Sequence, residues 1–277
     1  MTARLRKGGH EVVGYDRDPK VSEVDSLDAL VATLPAPRAV WMMVPAGDPT
    51  EQSIAALAKL LGSGDVLVDG GNSNFRDSIR RGETLAEDGI VFVDAGVSGG
   101  IWGLQEGFCL MLGGTNSAIA VLRPTLDTLA PPDGWAHVGP SGAGHFVKMV
   151  HNGIEYGMMQ AYAEGFQILE SSKLFPSLDL HQVAEIWRHG SVVRSWLLDL
   201  AASALSKDPD LASIKGYVQD SGEGRWTVFE AIEEDVPAPV IALSLFARFA
   251  SRQDDSFADR MLAALRHEFG GHPVETR

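Results

Sequence analysis

The 277-residue sequence holds one cysteine, Cys109. A lone thiol excludes an internal disulfide and fits a reducing compartment such as the cytoplasm. Basic residues are scarce: 23 Lys and Arg stand against 37 Asp and Glu, a net charge of -14. That balance argues against a general nucleic-acid or anionic-membrane binder, because phosphates need a basic surface. Long hydrophobic runs are missing. The longest apolar stretch, around Pro239 to Ala247, is too short to span a bilayer. The basic start, MTARLRKGGH, has no apolar stretch behind it and does not read as a signal peptide. The eight histidines form no H-E-x-x-H pattern and one cysteine cannot make a zinc ribbon, so no metal is expected. There is no internal repeat and no low-complexity tract.

What is present is an ordinary globular composition, 45% hydrophobic and 22% charged. The first half alternates strand and helix signals. Glu11–Tyr15, Ala39–Val44, Asp65–Asp69 and Ile90–Asp94 are short, Val-rich runs bounded by Gly, Pro or Asp, and predict buried strands. Amphipathic stretches at Ser26–Thr33, Pro49–Leu61 and Phe75–Glu87 lie between them. A strand at Cys109–Leu112, a helix near Thr115–Leu129 and a strand at Trp135–Val138 continue the pattern. This alternation predicts a parallel sheet covered on both faces. The turn-rich Gly139-Pro140-Ser141-Gly142 marks a boundary, with a Rossmann-like α/β domain over residues 1–140 and an all-α domain over residues 141–277. Helical patterns fill the second part: Gly144–Ser172, Leu178–Gly190, Arg194–Leu205, Arg225–Glu234, Pro239–Arg252 and Phe257–Glu268.

Met1–Lys7 reads as the tail of a helix stopped by Gly8-Gly9 and followed at once by a strand. In a dinucleotide-binding unit, a first strand and a G-x-G-x-x-G turn come before such a helix. The expectation is that the sequence starts about fifteen residues late or that the polypeptide is truncated, so the α/β domain lacks its first strand.

Several residues carry candidate chemistry. Asp16, after Glu11–Tyr15, can accept from a ribose 2′-hydroxyl and repel a 2′-phosphate, or be an ordinary loop acid; Arg17 beside it weakens a preference for NAD over NADP. Val44 and Asn72 also end strands, where a cofactor or substrate would lie; an Asn turn is the plain alternative for Asn72. Ser98-Gly99-Gly100 can offer backbone N–H groups to a carboxylate, or be a simple turn. Gly142-Ala143-Gly144 opens a helix but no βαβ unit, so close backbone approach to a ligand suits it better than phosphate binding. In the stretch GHFVKMVHNGIEYGMMQ, a helix puts Lys148, His151, Asn152 and Glu155 on one face. A polar seam on an apolar helix is either an internally paired Lys–Glu bridge or an acid/base pair, since desolvation disfavours the charged form of Lys. Arg225 with Thr227, Arg252, and Arg266 with His272 read singly as surface groups; converging, they would make a phosphate pocket.

Together these motifs resemble the β-hydroxyacid dehydrogenase superfamily: G-x-G-x-x-x-K-x-x-x-N at Gly142–Asn152 behind Val97-Ser98-Gly99-Gly100. Asn152-Gly153-Ile154-Glu155-Tyr156-Gly157, Gly222-Glu223-Gly224-Arg225-Trp226-Thr227 and Phe269-Gly270-Gly271-His272 are similar to the 6-phosphogluconate dehydrogenase family. Ile101-Trp102-Gly103 and the compact helical part resemble its short form. The resemblance implies oxidative decarboxylation of 6-phosphogluconate to ribulose 5-phosphate and CO2 with NAD, or NADP, in the pentose phosphate pathway. It implies Lys148 as base, Glu155 as acid, and Asn152 and His151 orienting substrate hydroxyls. Ser98, Gly99 and Gly100 would receive the carboxylate end. Tyr156, Arg225, Thr227, Arg266 and His272 would hold the phosphate end, with Arg252 aligned less securely. Arg266 and His272 would reach the site of a partner subunit, so a homo-oligomer is expected. Two other readings compete: a related β-hydroxyacid dehydrogenase without the sugar phosphate, and a truncated chain serving only as an oligomerisation or binding module.

Overall fold

The computed structural model describes residues 1–275. Two compact units form, residues 1–152 and 153–277. In the first, α1 (Thr2–Lys7), α2 (Leu27–Thr33), β1 (Ala39–Met42), α3 (Asp48–Leu57), β2 (Val66–Asp69), α4 (Phe75–Glu87) and β3 (Val91–Ser98) follow in order. A 3-10 turn at Gly100–Trp102, α5 (Gly103–Glu106), β4 (Cys109–Gly113), α6 (Asn116–Leu129) and β5 (Trp135–Gly139) complete the alternation. The start of α7 (Ala143–Glu170) closes the unit.

The strands lie in chain order, β1-β2-β3-β4-β5. Their alternating residues separate two cores. Val66, Val68, Val93, Ala95 and Leu112 pack with Leu122 and Leu126 of α6. Val40, Met42, Leu67 and Phe92 pack with Leu57 and Leu85. Both faces are therefore buried, as the Val-rich runs require. The sheet departs from an all-parallel one at β4, which runs antiparallel to β3. The connection between them is a ten-residue turn, too short for the crossover that a parallel pair needs.

Glu11–Tyr15 is not a strand. Its backbone bonds go to a loop and a helix instead of a ladder: Glu23 N donates to Gly14 O, Gly14 N to Glu23 Oε2, and Arg6 Nη2 of α1 to Val12 O, while Asp16 N just beyond donates to Ser22 Oγ. A run of β-formers becomes a strand only when another strand completes its ladder. The helix stop before it holds: Gly9 has φ +86°, with Gly9 N bonded to Arg6 O and His10 N to Leu5 O, a Schellman ending.

The second unit is helical, with the remainder of α7, then α8 (Leu180–Arg188), α9 (Trp196–Lys207), α10 (Glu223–Glu233), α11 (Pro239–Ala250) and α12 (Phe257–Gly270). Ser195 caps α9 and Asp179 caps α8 through side-chain bonds to Leu198 N and Gln182 N. Ala184, Leu198, Ala202 and Leu205 form its core against Tyr162, Phe166 and Trp187. Among the described residues, no helix is long and apolar enough to cross a membrane.

Candidate active site

The polar seam of α7 is real. Lys148 is 6% exposed, and its Nζ donates to Asn152 Oδ1 one turn on. His151 Nδ1 lies 3.0 Å from the same oxygen, and its Nε2 lies 3.4 Å from Ser98 Oγ. With Nδ1 protonated, Ser98 donates to His151, His151 donates to Asn152, and Lys148 donates to Asn152 from the other side. A relay thus joins the Ser98-Gly99-Gly100 turn to the buried amine. Gly99 and Gly100 both have positive φ, +136° and +50°, which explains two glycines in succession. Glu155, half-buried, follows Lys148 by two helical turns, about 10 Å along the axis.

The start of α7 sits directly on the sheet. A Cβ on Gly144 would stand 2.4 Å from Met111 O and 2.5 Å from Asp94 O. At Gly144 the close approach expected of Gly142-Ala143-Gly144 is made to the sheet's own backbone. Asp94, fully buried, accepts from Gly142 N at 2.6 Å and His145 N at 2.8 Å.

Three of the expected cofactor residues, Asp16, Arg17 and Val44, line one cavity. A cavity of about 830 Å³ opens between β1 and the Val12–Tyr15 loop, lined also by Asp16, Arg17, Val44 and Pro45. Asp16 gives it an acid suited to a ribose hydroxyl, and the apolar walls suit a planar ring. Among the described residues Gly14 is the sole glycine of its lining, so these walls present no Gly-rich cradle for a pyrophosphate. Asn72, exposed, rides on a loop pinned from below by Asp69. That buried carboxylate accepts from Gly71 N, Ser73 Oγ and Arg81 Nη1, and Arg81 also pairs with Glu51.

In the second unit, Tyr156 is buried, and its hydroxyl accepts from Ser221 N. The guanidinium of Arg248 lies 3.5 Å from the Tyr156 ring centre. Thr227 is buried and donates to Glu223 O; a Cβ on Gly153 would meet its methyl at 2.6 Å. Arg225 and Arg252 converge on Asp220, at 2.9 and 2.8 Å. The hydrogen bond from Arg225, with that from Arg252, brings the Asp220 carboxyl down to about 2, and Asp220 in turn raises Arg225. Arg266 and His272 are exposed, on α12 and just after it. Sequence reading missed Asp94, Asp220 and Arg248. Asp220, five residues before Arg225, was the one visible from spacing.

A sheet with nucleotide-site features, a helical unit after it and a sequestered lysine joined through Asn152 and His151 to a Ser-Gly-Gly turn define a β-hydroxyacid dehydrogenase. Residues 1–139 match the family described as the NAD binding domain of 6-phosphogluconate dehydrogenase, and residues 144–273 match 6-phosphogluconate dehydrogenase, C-terminal domain. The chain belongs to the 6-phosphogluconate dehydrogenase family. It is 44% identical over 282 residues to the NAD(+)-dependent, decarboxylating 6-phosphogluconate dehydrogenase of Haloferax volcanii, covering 98% of this chain and 93% of that one. It is similar to the solved Plasmodium falciparum 6-phosphogluconate dehydrogenase, with TM-score 0.76 and 29% identity. That match covers 91% of this chain and 55% of the longer Plasmodium chain. A 3-hydroxyisobutyrate dehydrogenase of Mycobacterium tuberculosis shares the fold at 21% identity and TM-score 0.71, covering 96% of this chain and 94% of that one.

Proposed function

We propose that the chain oxidises 6-phosphogluconate at C3 and decarboxylates the product to ribulose 5-phosphate. The observation that carries this is the buried Lys148 amine, joined through Asn152 and His151 to Ser98. NAD(P), when bound, accepts the C3 hydride. Lys148 takes the 3-hydroxyl proton as that hydride leaves, so the amine enters neutral and ends as an ammonium. Arg could not make that change, because it does not deprotonate. The ketone formed is β to the carboxylate and accepts the electrons released as CO2 departs. Protonated Lys148 then faces the developing enolate oxygen, and Glu155 delivers a proton to the carbon that carried the carboxylate, which becomes C1 of the ribulose product. Ser98, Gly99 and Gly100 receive the carboxylate end; His151 and Asn152 hold the hydroxyls. Tyr156, Arg225, Thr227 and Arg252 form the phosphate end. Asp16 favours NAD over NADP by repelling a 2′-phosphate.

Arg266 and His272 complete the site of a second copy in a cytoplasmic homo-oligomer. Support comes from apolar side chains left in water on two helices: Val240, Leu243 and Phe246 on α11, and Met261, Leu262 and Leu265 on α12. The test is a paired NAD and NADP assay with 6-phosphogluconate, with Lys148→Met alongside. Lys148→Met abolishes turnover and changes substrate affinity by less than about tenfold, since it removes the proton acceptor and keeps most of the stem. Near-normal turnover in a folded, correctly assembled variant would refute the assignment.

A further inference from the structure

We propose that Asp94 and Gly96 are positioning residues for the Lys148 amine, acting through the first turns of α7. The inference rests on Lys148 being the base. Asp94, Gly96 and Ser98 alternate along β3 and so share one of its faces. Each meets the next stretch of α7. Asp94 accepts from Gly142 N and His145 N, Gly96 abuts Lys148, and Ser98 lies against His151.

The two new residues fix different coordinates. Asp94 is a helix cap delivered from another strand. Its two oxygens take two of the N–H groups that the first turn of α7 leaves without helical partners, and its charge faces the positive end of the helix. This sets where α7 begins, and hence how far along its axis position 148 falls. His145, the residue whose N–H Asp94 holds, is itself pinned by its Nδ1, 2.7 Å from Ser78 Oγ of α4. Gly96 sets the depth. A Cβ there would stand 2.5 Å from Lys148 Cβ, 3.2 Å from its Cγ and 2.8 Å from Gly144 O. Real Cβ atoms do not approach so closely, so any larger residue at 96 lifts the lysine stem or the helix turn beneath it. A displacement near 1 Å at a reacting group costs about a hundredfold in rate.

The experiment compares Gly96→Ala and Asp94→Asn with the unchanged protein and with Gly165→Ala, also on α7, where an added Cβ meets nothing within 4 Å. The readouts are kcat, KM and the primary isotope effect with 6-phosphogluconate deuterated at C3. Gly96→Ala is expected to lower kcat by about a hundredfold, shift KM by less than about threefold, and enlarge the isotope effect. Gly165→Ala is expected to leave all three unchanged. A merely structural role would reduce the active fraction, lowering kcat with the isotope effect unmoved; that result overturns the proposal. Asp94→Asn keeps the volume and guards against a Gly96→Ala chain that fails to fold. Its second readout needs no turnover: amide hydrogen exchange at Gly142 and His145 is expected to speed by at least about tenfold, since a carboxamide offers those two donors one acceptor. Unchanged exchange overturns the part assigned to Asp94. Absent turnover by the unchanged protein with either nucleotide would instead remove the base reading, which separates the two failures.

Discussion

Asp220 offers the sharpest quantitative test. Its side chain is 5% exposed and carries two arginines, Arg225 and Arg252. Those partners lower its carboxyl from 3.8 to about 2. The difference corresponds to about 2 kcal/mol in favour of the folded state. The group is depressed, so this stability is fully present above the unfolded carboxyl's range near pH 4. It drains as the pH falls toward 2 and is gone below that. Asn imitates the protonated acid. Asp220→Asn should therefore lower the unfolding free energy by about 2 kcal/mol at pH 6, and the gap should close as both proteins approach pH 2. Urea unfolding at stepped pH, followed by tryptophan fluorescence, measures it; Trp226 sits next to Arg225 and reports locally. A gap that stays the same at pH 6 and pH 2.5 would mean lost packing rather than lost charge pairing. No gap at either pH would mean that the two arginines do not hold the carboxylate.

Arg81→Met strands the Asp69 carboxylate in a fully buried place and should cost about 3 kcal/mol, toward the low end for a broken buried pair, because Ser73 and Gly71 still donate to it. Chemical denaturation of the variant checks this, with Glu51→Gln as a milder control on the half-exposed partner. Leu126→Ala opens a hole in the core beside Val93 and Leu112 and should cost about 2–5 kcal/mol by the same measurement.

The strands β1, β2 and β3 were readable because each lies in a short Val-rich run between breakers, and period-two burial then sorts their side chains between two cores. The direction of β4 was not readable, since hydrophobic pattern is blind to orientation and only the short link from β3 decides it. Glu11–Tyr15 carries the composition of a strand without a ladder; propensity says what fits a sheet, not whether a neighbour is there. At the site, the seam from Lys148 to Glu155 was visible because helical spacing alone brings those residues to one face. Asp94 was invisible for the opposite reason. Its partners stand 48 and 51 residues away, and an acid inside a Val-rich strand gives no local sign of capping a distant helix. Arg248 over Tyr156 is likewise a product of packing between α7 and α11.

The outer side of β1 has a consequence for handling the protein. β2 pairs with it on one side, and the other side borders the hollow lined by Val12, Val13 and Trp41. Unmatched strand borders with greasy walls are sticky toward copies of themselves. Beyond the proposed oligomer, the shared negative charge, -14 per chain, opposes such sticking. Added salt shortens the reach of that repulsion to about 3 Å at 1 M. Concentrated stocks should thus stay clear in dilute buffer and turn turbid as ionic strength climbs.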